Sequence, residues 1–222
     1  MFLLALLLGG IAFVILHGST SKPRPDRVRP STATQPTAST TTTTRTVSST
    51  GCSLPAGSQA IPSTSPPTGT MWATVGAMQA PQAPTVYGPQ RTKGIWDTCF
   101  AHNPTGALLA AINLWAEGTT TAPASAVFQR LAVGAPRDLG SNENLDAAAG
   151  GAVQLAGYKY GSYTPANAQI SVVLQGPQGT LVAFVTPMTW HDGDWKYVFP
   201  TGGTPSYQVI PALAGYVPWS DF

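Results

Sequence analysis

Charged side chains are scarce in this chain. Asp, Glu, Lys and Arg make up 9% of its 222 residues, whereas about a quarter is usual for a soluble protein. Residues 71–222 contain six basic and eight acidic side chains, so they offer no basic surface of the kind that binds nucleic acid. The formal net charge of +2 therefore comes from the N-terminal part, and we expect no nucleic-acid partner for the folded part.

The short motifs that hold metals, phosphates or activated nucleophiles are also absent. The sequence contains no C-x-x-C, H-E-x-x-H or G-x-S-x-G pattern and no Gly-Lys-Ser/Thr of a phosphate-binding loop. An imidazole and carboxylates occur together only at His191, Asp192 and Asp194, where Asp192-Gly193 is better explained as the turn of a β-hairpin. We therefore predict no catalytic residues, no cofactor and no metal site.

The chain begins with an unbroken apolar run, Phe2 to Leu16. As a helix the run would span about 22 Å, against about 30 Å of bilayer hydrocarbon; neighbouring residues and local thinning can supply the difference. A secretory signal peptide requires Lys or Arg before its apolar run and an A-x-A cleavage site after it. This run has neither. The sequence predicts one transmembrane helix over residues 1–17, with a cleaved signal peptide as the alternative.

Residues 18–70 are rich in Ser, Thr and Pro and have few aliphatic side chains. Such a segment cannot bury enough apolar surface to offset its ordering entropy, so we predict a disordered stalk. A stalk of this kind is typical of extracytoplasmic proteins. However, the basic residues Lys22, Arg24, Arg27 and Arg29 directly follow the apolar run and favour a cytoplasmic domain by the positive-inside rule. We expect an extracytoplasmic domain on the cell membrane, and the cytoplasmic orientation stays open.

Residues 71–222 show the mixed apolar and polar pattern of one folded domain. Helical signatures begin at Asn103-Pro104, at Pro123 and at Ser141. Strand signatures follow at Val153–Tyr163, Ala168–Gln175, Thr180–His191 and Asp194–Phe199. The pattern predicts an α+β domain in which three helices pack on one face of an antiparallel sheet.

The sequence has two cysteines, Cys52 near the end of the predicted stalk and Cys99 just before the first predicted helix. Two cysteines with none left over suggest a single bridge in an exported protein. We predict a Cys52–Cys99 disulfide, which would fasten the intervening arm to the domain in an oxidising compartment. The alternative is a pair of free thiols, which would suit the cytoplasmic orientation.

Aromatic side chains are spread over the first predicted helix and the predicted sheet. Trp115, Tyr158, Tyr160 and Trp190 are the candidates to line a concave ligand pocket. Ordinary core packing explains the same residues better.

Several stretches occur together in the order found in a known family. They are CFAHNPTGALLAAINLWAE from Cys99, GYKYGSYTPANAQISVVL from Gly157, DWKYVFP from Asp194 and the closing GYVPWSDF. They resemble a family of actinobacterial membrane-anchored domains over most of Tyr87–Phe222, although Cys99 departs from its pattern. The resemblance implies a nuclear-transport-factor-two-like, cystatin-like fold. It also implies a role like that of the bitopic subunit of conjugative type IV secretion systems.

Taken together, these features predict a non-enzymatic, membrane-anchored extracytoplasmic assembly component of a conjugative transfer or secretion apparatus. Its expected partners are the membrane and other protein subunits of an envelope complex, with self-association as a further possibility. Two alternatives stay open. One is a module on the cell surface that binds a small apolar ligand, and the other is an envelope protein encoded by a phage or mobile element.

Overall fold

The computed structural model describes residues 51–135, 153–201 and 203–221, which belong to one compact unit spanning Arg45–Phe222. The predicted transmembrane helix (1–17), most of the predicted stalk and the third predicted helix from Ser141 lie outside the described residues. Neither helix in the described ranges is long and apolar enough to cross a membrane.

Strands dominate the described residues. In chain order the elements are β1 (Met71–Val75), β2 (Met78–Gln82), β3 (Arg91–Lys93), β4 (Trp96–Thr98), α1 (Pro104–Glu117), α2 (Ala124–Leu131), β5 (Ala132–Val133), β6 (Gln154–Tyr163), β7 (Asn167–Gln175), β8 (Leu181–His191), β9 (Asp194–Val198), β10 (Tyr207–Ile210) and β11 (Val217–Pro218).

The main sheet has seven strands in the order β11-β6-β7-β8-β9-β5, and β10 pairs with β8. At 11 residues, β8 is long enough for β9 to pair with Met188–His191 and for β10 to pair with Leu181–Phe184 on the same side. β5 runs parallel to β9, whereas the other pairings in this sheet are antiparallel. Two separate hairpins, β1–β2 and β3–β4, precede the helices.

α1 is the central element of the core, because all 14 of its residues are buried. The side chain of Asn103 caps it by accepting the backbone N–H of Gly106 at 2.7 Å, and Pro104 occupies its first turn. A Cβ on Gly106 would lie 2.0 Å from the carbonyl oxygen of Ala101, so only glycine fits there. The helix lies between the β1–β2 hairpin and the main sheet, and a smaller cluster around Val173 and Ile210 forms a second core.

The predicted fold class is wrong. The described residues are mostly β, the main sheet is mixed rather than antiparallel, and four strands come before α1. The prediction of three helices on a curved antiparallel, cystatin-like sheet therefore fails. β1 to β4 have three to five residues each, too few to show a convincing alternation. The parallel pairing of β5 with β9 joins segments far apart in the sequence.

Residues 51–70, which were predicted to belong to a disordered stalk, are instead an arm that lies on the domain; we call them the N-terminal arm. Several of its contacts are hydrogen bonds from side chains of the domain to its backbone carbonyls. Asn103 donates to the carbonyl of Ala56 at 2.6 Å, and the Tyr158 hydroxyl lies 2.7 Å from the carbonyl of Pro62 and 2.9 Å from that of Ser65. Backbone carbonyls of the arm therefore supply much of its binding to the domain.

Candidate functional site

The predicted disulfide is present. Cys52 of the N-terminal arm is bonded to Cys99, with Sγ atoms 2.01 Å apart and Cα atoms 5.3 Å apart, and the described residues include no free cysteine. The bond is reinforced next to it, where Ser53 and Gln90 exchange two hydrogen bonds of 2.9 and 2.7 Å. The arm is thus fixed to the domain both covalently and by hydrogen bonds.

Three buried carboxyl groups, from β4, α1 and β9, lie beside this attachment point. They belong to Asp97, Glu117 and Asp194, and we call them the carboxyl cluster. All three, together with Lys196, line a cavity of about 10 Å³, roughly the smallest space that holds one water molecule. This cavity is too small for an organic ligand. The described ranges contain no group of three or more side chains arranged to bind a metal ion.

Asp194 holds the backbone at the disulfide. Its carboxylate accepts the N–H groups of Cys99 and Phe100 at 2.9 Å and that of Trp195 at 3.0 Å. Cys99 has a φ of 67°, a left-handed conformation that is uncommon outside glycine, so these bonds secure a strained residue. Burial raises the pKa of Asp194, and the N–H groups of Phe100 and Cys99 oppose that shift.

Asp97 joins the two hairpins that precede the helices. Its carboxylate accepts the hydroxyl of Thr92 at 2.6 Å and the amide of Gln82 at 2.8 Å. Burial raises the pKa of Asp97, and these two hydrogen bonds oppose the shift.

Glu117, the last residue of α1, is the unusual member of the cluster. It is 0% exposed, and its Oε1 accepts the backbone N–H of Asp97 at 2.8 Å. Its Oε2 has no hydrogen-bond partner among the described residues. Burial, together with the negative charge of Asp97, raises the pKa of Glu117 to about 8. Glu117 is therefore largely protonated at neutral pH, which limits the charge that the core must hold.

Sequence reasoning missed the carboxyl cluster. Glu117 ends a predicted helix, where a charged side chain usually reaches water, and Asp194 begins a hairpin strand near Lys196. The signal that was available is the setting of Glu117, the only charged residue in the largely apolar stretch ALLAAINLWAEG.

The predicted pocket residues are engaged in packing. Trp115 donates its Nε1–H to the Thr186 hydroxyl at 2.8 Å, and Tyr160 donates to the carbonyl of Pro104 at 2.6 Å. Tyr158 lies next to Tyr160, with ring centroids 6.1 Å apart, and bonds to the N-terminal arm.

Trp190 lies elsewhere, with its ring stacked on the imidazole of His102 at a centroid distance of 4.0 Å. None of the four predicted residues lines the cavity of the carboxyl cluster. The other imidazole considered above, His191, lies 3.2 Å from the carboxylate of Asp192 in an exposed pair. Asp194 instead bonds to Cys99 and Phe100, so the structure does not bring those three hairpin residues together.

The geometry defines a mostly β domain whose N-terminal arm is fastened by one disulfide above a buried carboxyl cluster. The chain belongs to the family described as Domain of unknown function (DUF8175), whose model matches residues 32–218. That match includes the whole N-terminal arm. Neither a curated protein nor a solved structure matches the chain.

Proposed function

We propose that this chain is a non-enzymatic assembly component of the cell envelope, tethered by its N-terminal apolar run, with its folded domain outside the cytoplasm. The observation that carries the proposal is the Cys52–Cys99 disulfide. Structural disulfides persist in oxidising compartments and are rare in the cytosol. The disulfide therefore favours the extracytoplasmic orientation over the one suggested by the basic residues after the apolar run.

The position of the disulfide supports a tethered role. Cys52 lies near the start of the N-terminal arm, the end that follows the apolar run in the sequence. Cys99 lies five residues before α1. The chain coming from the membrane is thus fixed to the domain close to its central helix. The aromatic residues suggested for a ligand pocket are used in packing and in holding the arm, which favours a scaffold over a ligand-binding module.

The apparatus that we propose is a conjugative transfer or secretion machine. The assignment to this apparatus is supported by the sequence motifs alone. The fold adds no support, because it differs from the cystatin-like fold that the resemblance implied. Deletion of the gene in its native host is expected to lower the frequency of plasmid transfer, and the intact gene supplied in trans should restore it. Transfer at an unchanged frequency after deletion would contradict this assignment.

The orientation has its own test. Alkaline phosphatase fused after Phe222 becomes active only where its own disulfides form. A fluorescent reporter that works only in the cytoplasm, fused at the same position, tests the opposite orientation. We expect phosphatase activity from cells that express the full chain with its N-terminal run. An inactive phosphatase fusion with a fluorescent counterpart would overturn the extracytoplasmic assignment.

A further inference from the structure

β10 has one free edge among the described residues. It pairs only with β8, and the carbonyl of Ser206 accepts the backbone N–H of Val185 at 2.9 Å. Backbone groups of successive residues in a strand point to opposite sides, so those of Tyr207 and Val209 point away from β8. No strand of the described residues lies there to receive them.

The two residues whose backbone groups point outward also have apolar, exposed side chains. Tyr207 is 63% exposed and Val209 is 66% exposed. Ile210 is buried in the smaller core, so alternation puts Tyr207 and Val209 on the other face of the sheet, the one that α1 covers further along. There the ring of Tyr207 lies 5.9 Å from that of Phe184. α1 does not cover this end of the face, and the two side chains remain in solvent.

The edge has no charged side chain to protect it against pairing. Natural edge strands commonly carry charged side chains, especially lysine, that prevent association with another strand. Residues 160–190 and 197–220, which include β7, most of β8 and all of β10, contain no Asp, Glu, Lys, Arg or His. Pro205 and Pro211 bound the edge, and since proline has no N–H, they limit pairing to the short segment between them.

We propose that the free edge of β10 binds a second copy of this chain, so that the two β10 strands pair antiparallel about Gln208. In this register Tyr207 lies opposite Val209 of the partner subunit, and Val209 lies opposite Tyr207 of the partner subunit. Each opposed pair exchanges two backbone hydrogen bonds. The two main sheets become one continuous sheet related by a two-fold axis, which is the symmetry of most homodimers.

A second copy suits this edge because the edge is complementary to itself. Registers centred on Tyr207 or Val209 place an outward carbonyl opposite a proline, which has no N–H to donate. The register centred on Gln208 pairs every outward N–H and C=O of both copies between the two prolines. It also brings an aromatic side chain beside a β-branched one on the same face, which is a favourable cross-strand pair. No charged side chain faces the same side chain of the other copy.

The pairing of the two β10 strands is a property of the chain itself. Only the biological role of that pairing rests on the proposed function. Tethering to a membrane would raise the effective concentration of one copy near another. A short edge of this kind can then serve in assembly even where it is weak in dilute solution.

Cysteine cross-linking of the full chain in liposomes tests the register. At the two-fold axis the two Gln208 residues form a non-hydrogen-bonded pair with Cα atoms about 4.5 Å apart, within the range of about 4.4–6.8 Å that a disulfide accepts. Under mild oxidation Gln208→Cys should give covalent dimer at least five-fold above Ser206→Cys. The matched control fails to cross-link because its two copies lie about 14 Å apart along the strands. Equal yields from the two variants would overturn the proposal.

A second pair of variants tests the surface. Val209→Lys, added to Gln208→Cys, should reduce the dimer yield several-fold because it places like charges across the two-fold axis. Val86→Lys, at an exposed apolar residue elsewhere, should leave the yield unchanged. If Val209→Lys abolishes plasmid transfer while Gln208→Cys gives no dimer, the edge binds a different partner and self-pairing is refuted. Dimer formation without any effect of gene deletion on transfer would refute the proposed function and leave the pairing intact.

Discussion

The carboxylate of Asp194 accepts the backbone N–H of Cys99 at 2.9 Å, although the two residues are 95 positions apart in the chain. The first residue of β9 thereby holds the disulfide-bonded residue in front of α1. The same carboxylate also accepts the N–H groups of Phe100 and Trp195. This one side chain joins the sheet, the helix and the attachment of the N-terminal arm.

Loss of this carboxylate should destabilise the fold strongly. Asp194→Asn replaces one acceptor oxygen by an amide that faces backbone donors, and we expect the free energy of unfolding to fall by about 2–3 kcal/mol. Urea unfolding of the oxidised full chain measures the change. The matched control is Asp192→Asn in the exposed neighbouring turn, which should stay within about 0.5 kcal/mol of the unmodified chain. Equal effects from the two variants would contradict the role of Asp194.

Stability should fall as the pH rises from about 4.5 to about 8. The pKa of Glu117 is raised from an ordinary 4.5 to about 8, so between these values the folded chain holds a proton that the unfolded chain has released, and each rise in pH favours unfolding. The raised pKa values of Asp97 and Asp194 act in the same direction at lower pH. Lys196 and Arg130 oppose the shift of Glu117 but do not reverse it.

Glu117→Gln isolates the contribution of that side chain. The amide is nearly isosteric and stays neutral, so the variant should lose less stability between pH 6 and pH 8 than the unmodified chain does. Urea midpoints at several pH values provide the measurement. The same slope in both proteins would show that Glu117 is not the group that titrates.

The two cysteines should resist alkylation in the intact protein. When the chain is isolated from its host and alkylated without prior reduction, mass spectrometry should find neither Cys52 nor Cys99 modified. After reduction both should react, and the free energy of unfolding should fall by about 4 kcal/mol, the chain-entropy value for a loop of about 48 residues. Two modified cysteines before reduction would contradict both the disulfide and the proposed extracytoplasmic orientation.

The hydroxyl of Tyr158 should hold the N-terminal arm against the sheet. Tyr158→Phe removes the donor that lies between the carbonyls of Pro62 and Ser65, at an expected cost of about 1 kcal/mol. Limited proteolysis should then cut the arm faster, because its carbonyls lose a partner. Tyr207→Phe, at an exposed tyrosine, is the control and should leave the rate of cutting unchanged; a faster cut in both variants would argue against a specific contact.

Gly106 should tolerate no side chain. The Cβ of Gly106→Ala would approach the Ala101 carbonyl to 2.0 Å, so we expect a loss of at least about 2 kcal/mol, as for other overpacked core positions. Gly176→Ala is the matched control, because the nearest atom would be 3.9 Å away and its φ is −86°. Thermal unfolding of the two variants should differ clearly, and a tolerated Gly106→Ala would show that the start of α1 can shift.

Sequence patterns predicted the elements whose signals are local. Asn103 and Pro104 mark the start of α1, and Asp192-Gly193 marks the turn between β8 and β9. The disulfide followed from the number of cysteines. The helix cap and the hairpin turn depend on neighbours in the chain, so their physical causes can be seen without a tertiary structure, and the two cysteines could be paired because the sequence has no third.

The missed features depend on partners far apart in the sequence. The N-terminal arm has little apolar surface, and its carbonyls bind Tyr158 more than 90 positions away. The carboxyl cluster forms only when β4, α1 and β9 meet, and β5 joins the sheet through a two-residue parallel pairing. No local pattern predicts these contacts, so the fold class and the candidate site both required the structure.

The disulfide also determines how a mechanical force travels through the molecule. A pull on the chain ahead of Cys52 passes directly through the sulfur bridge to Cys99 and on into α1, whose residues are all buried. Residues 53–98, with both small hairpins, form a side loop that carries no tension. In the proposed tethered arrangement, those hairpins can therefore bind another molecule without weakening the covalent connection between the N-terminal segment and α1.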